Sequence, residues 1–210
     1  MVRFATQLGA VVLCGGSSSR MGLDKASLPF GSETLLERVL RQVRAATADI
    51  VLAAAAGQTV PAGFEVSRDR FAGEGPLPAL LDAVELLGTS RVFVVACDTP
   101  LLEPALIPLL EGFCAGWDGA VPAIGGRRIP TCAVYETSAL LDARERFGSV
   151  RHRSLRDYTA QLRIRDVPAV EIQPVDPRLL SFTPCNTPEE YRRALALSGL
   201  DVNDLPPTTV

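Results

Sequence analysis

The sequence has 210 residues, 47% hydrophobic and 21% charged, a balance that argues against disorder and is enough to bury a substantial core. A formal net charge of −3 supplies no basic footprint for nucleic acid or an anionic membrane surface. No apolar run approaches the roughly 18–20 residues of a membrane span.

Met1-Val2-Arg3-Phe4 leads at once into strand-like sequence, so no signal peptide is expected. Cys14, Cys97, Cys114, Cys132 and Cys185 are scattered, odd in number and without a C-x-x-C pair. That pattern encodes neither a disulfide framework nor a zinc site; small buried thiols in a reducing, cytoplasmic compartment are expected.

Leu8 to Cys14 is a near-continuous apolar run of strand length, as in a strand covered on both faces. Thr34-Leu-Leu-Glu37 has capping-box spacing, and Leu35, Leu36, Val39, Leu40 and Val43 then repeat at helical intervals. Ile50 to Ala56 and Phe64 to Asp69 read as strands, Pro76 to Leu87 as a helix, and Arg91 to Asp98 as the strongest strand. Ala120 to Ala123 and Thr131 to Tyr135 are strand candidates around "IGGRRIP", whose Gly-Gly centre suits a hairpin. Ser154 to Leu162 fits a short helix, and Thr187-Pro188-Glu189-Glu190 caps a last one. Alternating strands and helices predict right-handed β-α-β units and a mainly parallel sheet. With no repeat and no linker, residues 1–200 are expected to form one domain and 201–210 a frayed tail.

In such a sheet, ligands bind beyond the carboxyl ends of the strands. "LCGGSSSRMGLDKASLPFG", residues 13–31, begins there. Gly15 and Gly16 lack a Cβ and let backbone N–H groups approach a phosphate, while Arg20 and Lys25 add the charge a triphosphate needs. The stretch is not a P-loop, because Leu23 follows Gly22, and not a dinucleotide fingerprint, because position 17 is Ser. "VVACDTP" puts Asp98 on the same edge, ahead of a strand-ending Pro100. Asp98 suits either a turn residue or a Mg²⁺ ligand shared with substrate phosphates.

The opening loop resembles the signature of the molybdenum cofactor nucleotidyltransferases, and most closely the guanylyltransferase (MobA) family. "RDRFAGEGPLPAL", "CDTP", "IPTCAVY" and "NTPEEY" resemble further motifs of that family in the same order, covering residues 8 to about 195. The resemblance implies a Rossmann-like three-layer α/β/α nucleotidyltransferase fold. It implies transfer of GMP from GTP to molybdopterin with release of pyrophosphate, supported by Mg²⁺. It assigns Leu13, Cys14, Gly15, Gly16 and Arg20 to the nucleotide-binding turn, Lys25 to the phosphates, Asp69 to the nucleotide and Asp98 to the metal. Arg20, Lys25 and Asp98 would carry catalysis, and molybdoenzymes or insertion chaperones would accept the product. Gly15-Gly16 and Asp24 resemble the guanylyl branch.

The chain departs from that pattern at three places. Cys14 stands where an alanine is usual, Ala53-Ala54-Ala55 where an asparagine is frequent, and Pro184 where the first member of an Asn-x-Asn pair is common.

A phosphate monoester is already an anion at neutral pH, so attack on an α-phosphorus needs no general base, which fits a chain with one histidine. His152 reads as an exposed bystander, and Trp117 and the tyrosines as packing residues. Arg127, Arg128, Arg151 and Arg153 are either an acceptor-phosphate site or solvated surface charge. The alternatives are a cytidylyltransferase or another transferase with this loop, and a catalytically silent nucleotide-binding module.

Overall fold

The computed structural model describes residues 8–14, 25–69, 77–147 and 154–200. Strand β1 (Leu8–Leu13) is buried along its length. A short hairpin, β2 (Pro29–Phe30) and β3 (Glu33–Thr34), leads into helix α1 (Leu35–Arg44). Strands β4 (Ile50–Ala54) and β5 (Glu65–Arg68), helix α2 (Leu77–Leu87) and strand β6 (Arg91–Ala96) follow in alternation. Helix α3 (Leu106–Cys114) precedes β7 (Gly119–Ile124), β8 (Arg127–Arg128) and β9 (Cys132–Glu136). Helices α4 (Thr137–Phe147) and α5 (Leu155–Thr159), strand β10 (Ile164–Pro168), the turn of helix α6 (Ala169–Ile172) and helix α7 (Pro188–Leu197) complete the described chain.

The main sheet has the order β10-β7-β9-β6-β1-β4-β5, with β8 attached to β7. The pairs β1–β4, β1–β6, β4–β5 and β7–β10 are parallel, and β9 lies antiparallel between β6 and β7. Alternate residues of β1 serve opposite layers, as the period of a strand requires. Ala10, Val12 and Cys14 pack with α1 and α3, and Val11 and Leu13 with α2 and α4. This is the expected α/β/α sandwich with a mostly parallel sheet.

Local chemistry sets the element boundaries. Thr34 caps α1 by accepting from the Glu37 N–H at 3.2 Å, and the Glu37 carboxylate accepts from the Thr34 N–H at 2.8 Å. Gly125 and Gly126, both at positive φ, make the two-residue turn joining β7 to β8. Gly119 opens β7 because a Cβ there would sit 2.6 Å from the Tyr135 ring. The structure adds α3, α4 and β10, which periodicity did not reveal. All five cysteines are free and buried, as expected. The tail expected at 201–210 and His152, Arg151 and Arg153 lie outside the described residues.

A third small core joins the hairpin to the last helix: Leu28, Phe30 and Leu35 pack on Cys185, Ala194 and Leu195. The Tyr191 hydroxyl also donates to the Pro29 carbonyl. Segments far apart in sequence are thereby held together. Glu33 supports the same hairpin, accepting from Arg41 Nε at 3.1 Å, Arg41 Nη2 at 2.9 Å and Arg38 Nη1 at 3.2 Å.

The hydrogen bond from Arg41 holds the Glu33 carboxyl below its ordinary range, against the opposing effect of burial, with Arg38 assisting. A depressed folded-state pKa contributes stability above the unfolded value and loses it as pH falls through the folded one. Because Arg41 is largely exposed, Glu33→Gln is expected to cost only about 0.5–1 kcal/mol at pH 7. In urea unfolding the difference between variant and parent should shrink as pH falls below about 4 and vanish only below the lowered folded-state value.

Candidate nucleotidyl-transfer site

Four adjacent parallel strands, β6, β1, β4 and β5, bring their carboxyl ends to one edge, which is where the candidate residues gather. Leu13 and Cys14 end β1, and both are buried. The Cys14 N–H donates to Ala53 at 2.8 Å, and the Leu13 carbonyl accepts from the Cys97 N–H at 3.0 Å. The end of β1 is thus paired on both sides up to the residue that precedes the two glycines. Gly15, Gly16, Arg20 and Asp24 lie outside the described residues.

Lys25 opens a 3₁₀ turn, Lys25–Ser27, anchored by buried Ala26. Its Nζ donates to Asn186 Oδ1 at 2.6 Å. Asp98 follows β6 in a turn closed by Thr99, whose hydroxyl donates to the Ala96 carbonyl at 2.8 Å. The same turn is fixed to α1, since Pro100 accepts from Gln42 Nε2 at 3.0 Å and Arg38 Nε at 3.3 Å. Gln42 is a polar residue on the buried face of α1, and that break in the apolar stripe is its only signal in the sequence.

The segment before α7 completes the cluster. The Cys185 N–H donates to the Asp98 carbonyl at 2.8 Å, placing Asn186 beside the Asp98 carboxylate. The Asn186 side chain lies near enough to that carboxylate to lower its pKa, while its Oδ1 takes Lys25. Glu190 orients Asn186 by accepting from the backbone N–H of Asn186 at 2.7 Å and of Thr187 at 3.2 Å. Sequence reasoning placed "NTPEEY" only as a closing motif; the structure bonds Asn186 to Lys25 and sets it beside Asp98.

Burial pushes the Asp98 carboxyl above its usual range, the Lys25 charge and the local backbone pull it down, Glu190 pushes it up again and the nearby Asn186 side chain lowers it. A partly buried carboxylate short of positive charge is suited to a hard divalent cation with oxygen ligands. Among the described residues no group of three or more His, Cys, Asp or Glu forms a metal cluster. Mg²⁺ commonly takes one or two carboxylates and completes its shell with substrate phosphates and water.

Asp69 stands at the end of β5, its N–H on the Ala54 carbonyl at 2.9 Å. Strand spacing puts it about 14 Å from the end of β6. The edge consequently has two ends: one at Lys25, Asp98 and Asn186, and one across β4 and β5, where the polar groups are main chain, Arg68 and Asp69. Arg128 is committed elsewhere, forked onto Asp166 at 2.5 and 2.9 Å, whereas Arg127 is exposed. Burial pushes the thiols of Cys132 and Cys185 up to about 12 and that of Cys114 to about 11, which removes them as nucleophiles at neutral pH. Tyr135 and Tyr158 are fully buried packing residues, and Trp117 is largely exposed.

Residues 10–166 match the family model of the MobA-like NTP transferase domain. The chain belongs to that family. This member is 32% identical over 201 residues to the molybdenum cofactor guanylyltransferase of Rhizobium meliloti, covering 91% of this chain and 92% of the relative. It is 30% identical over 194 residues to a probable molybdenum cofactor guanylyltransferase of Carboxydothermus hydrogenoformans, covering 92% and 98%. Its backbone follows that of molybdopterin-guanine dinucleotide biosynthesis protein A from Archaeoglobus fulgidus, with a TM-score of 0.73 at 23% identity, over 91% of this chain and 98% of that one. As a MobA-like transferase, the protein is a nucleotidyltransferase.

Proposed function

We propose that the protein transfers GMP from GTP to the terminal phosphate of molybdopterin, in molybdenum cofactor biosynthesis. The observation that carries this reading is the Lys25–Asn186–Asp98 cluster at the carboxyl edge, within a chain that matches guanylyltransferases along most of its length. A phosphate oxygen of the acceptor forms the new bond to the α-phosphorus of GTP. The bond to the β-phosphate oxygen breaks, and pyrophosphate leaves with the electron pair. Lys25 would neutralise charge on the phosphates and on the departing group, with Arg20 assisting. Asn186 holds the Lys25 ammonium in place, and Glu190 holds Asn186.

Asp98 would hold Mg²⁺, which supplies neutralisation of phosphate charge when bound. Leu13, Cys14, Gly15, Gly16 and Asp69 would receive the nucleoside. We take residues 1–200 as one transferase domain, acting in the cytoplasm on small-molecule substrates and passing product to molybdoenzymes or their insertion chaperones. No helix of the described residues is long and apolar enough to cross a membrane.

One observation favours a second reading. Ala53 and Ala54, which end β4, offer a base nothing beyond Cβ, so a cytidylyl specificity is the alternative that the nucleotide preference must decide. Pyrophosphate release measured with molybdopterin and each of four nucleoside triphosphates makes that decision.

A further inference from the structure

The β4–β5 end of the edge is organised by a residue that no motif marks. Gln58 lies in the loop after β4, beyond a turn at Gly57, whose φ of +76° suits glycine. Its side chain folds back along the sheet edge. Gln58 Oε1 accepts from the Ala55 N–H at 3.1 Å, and Nε2 donates to the Cys14 carbonyl at 3.1 Å. One carboxamide thereby joins the end of β4 to the end of β1.

The turn is closed from β5 as well. Arg68 Nη1 donates to the Gln58 carbonyl at 2.9 Å and to the Ala55 carbonyl at 3.2 Å. On its other side the Cys14 carbonyl has the Cys97 thiol at 3.8 Å. It therefore meets donors from both flanking strands, the carboxamide being the stronger one. Cys14 is the last residue before the glycine pair, so the direction in which β1 delivers the chain to that pair is set here.

We infer that Gln58 is a positioning residue for the nucleotide, acting through Cys14 and Ala55 on the end that carries the base. The inference rests on the transferase reading of this same site. A nucleoside triphosphate has one charged end and one neutral planar end. Lys25 and Asp98 occupy the β6 side of β1, which leaves the base for the β4 side, over the bond that Gln58 makes. Ala53 and Ala54 present no polar side-chain atom there, so the polar geometry of that edge comes from main chain held in place by Gln58, together with Asp69. A residue at the base end tunes affinity and discrimination, and it leaves the phosphoryl step to the other end.

The test uses the full-length protein with Mg²⁺, molybdopterin and GTP, CTP, ATP and UTP in turn. The wild type is measured first, and the nucleotide it prefers is then used for the variants. Gln58→Ala should raise KM for that nucleotide about tenfold, leave kcat within about twofold, and reduce the preference over the other three by a similar factor. Gln58→Glu keeps an acceptor for the Ala55 N–H but sets a carboxylate against the Cys14 carbonyl. It should lose at least as much, with an unaltered melting temperature in the absence of nucleotide, and it carries the test alone if the alanine variant does not fold. Wild-type KM and preference in Gln58→Glu would overturn the inference, as would a fall in kcat with KM unchanged. A wild type that prefers CTP would overturn the guanylyl reading and leave the Gln58 inference to be decided with CTP.

Discussion

Asp98→Asn is expected to lower turnover by about 10²–10³-fold while the protein stays folded. The side chain is partly buried next to Lys25 and Asn186, and Glu190 adds a second negative charge nearby. Holding a carboxylate there works against its own desolvation, which is the cause of its raised pKa. A raised carboxyl pKa means that folded-state stability is lost as pH rises through the range between the unfolded and folded values. Asparagine keeps the shape of the position and one acceptor oxygen, without the charge. In metal-free buffer at pH 7 the variant should therefore melt no lower than its parent. With GTP and Mg²⁺ added, the parent should gain about 2.7 kcal/mol at a hundredfold excess of ligand over its dissociation constant, and the variant far less. A variant that melts well below its parent would make Asp98 structural; one that keeps full turnover would remove it from metal binding.

The second large effect concerns Lys25 and Asn186, which are 161 positions apart and share a 2.6 Å hydrogen bond. Lys25→Ala removes the cation and should cost at least about 10²-fold in turnover. Asn186→Ala leaves the cation but frees the ammonium from its anchor and removes a polar neighbour of Asp98, so a loss of about tenfold or more is expected. Because Asn186 acts through the other two groups, the two effects should not add. In the double variant, removing Asn186 after Lys25 should change little beyond its contact with Asp98. Full additivity in that cycle would mean that Asn186 contributes independently of Lys25.

Much of the frame was legible in residue order. The run Leu8–Leu13, the strand Arg91–Ala96 and both capping boxes, at Thr34 and Thr187, lie where pattern placed them, since burial on two faces and backbone capping are local effects. Helix α3 escaped because Pro104 and Pro108 interrupt its run; Pro108 is tolerated in the first turn, where no N–H bond is lost. Strand β10 escaped because it is an edge strand with a polar sequence, paired to β7 alone. The antiparallel entry of β9 between β6 and β7 is a fact of strand order, and no local signal encodes it.

At the site, Lys25, Asp98, Leu13, Cys14 and Asp69 lie along the expected edge, with Asp69 about 14 Å from the end of β6 and Leu13 and Cys14 between them on β1. Asn186 and Gln58 went unread for different reasons. Asn186 gains its role only when the third core folds α7 against the β2–β3 hairpin and so delivers it to Lys25. Gln58 sits in an irregular loop, where its partner Cys14 lies 44 positions earlier.

The most direct test of the account is molybdopterin-dependent pyrophosphate release, measured for GTP, CTP, ATP and UTP with Mg²⁺ on wild type and Asp98→Asn side by side. The account predicts release that requires molybdopterin, a kcat/KM for GTP at least about tenfold above the other three, and near-complete loss in the variant. Release that prefers CTP would contradict the guanylyl assignment. Release that survives in Asp98→Asn would contradict the placing of the phosphate chemistry at the Lys25–Asn186–Asp98 end of the sheet.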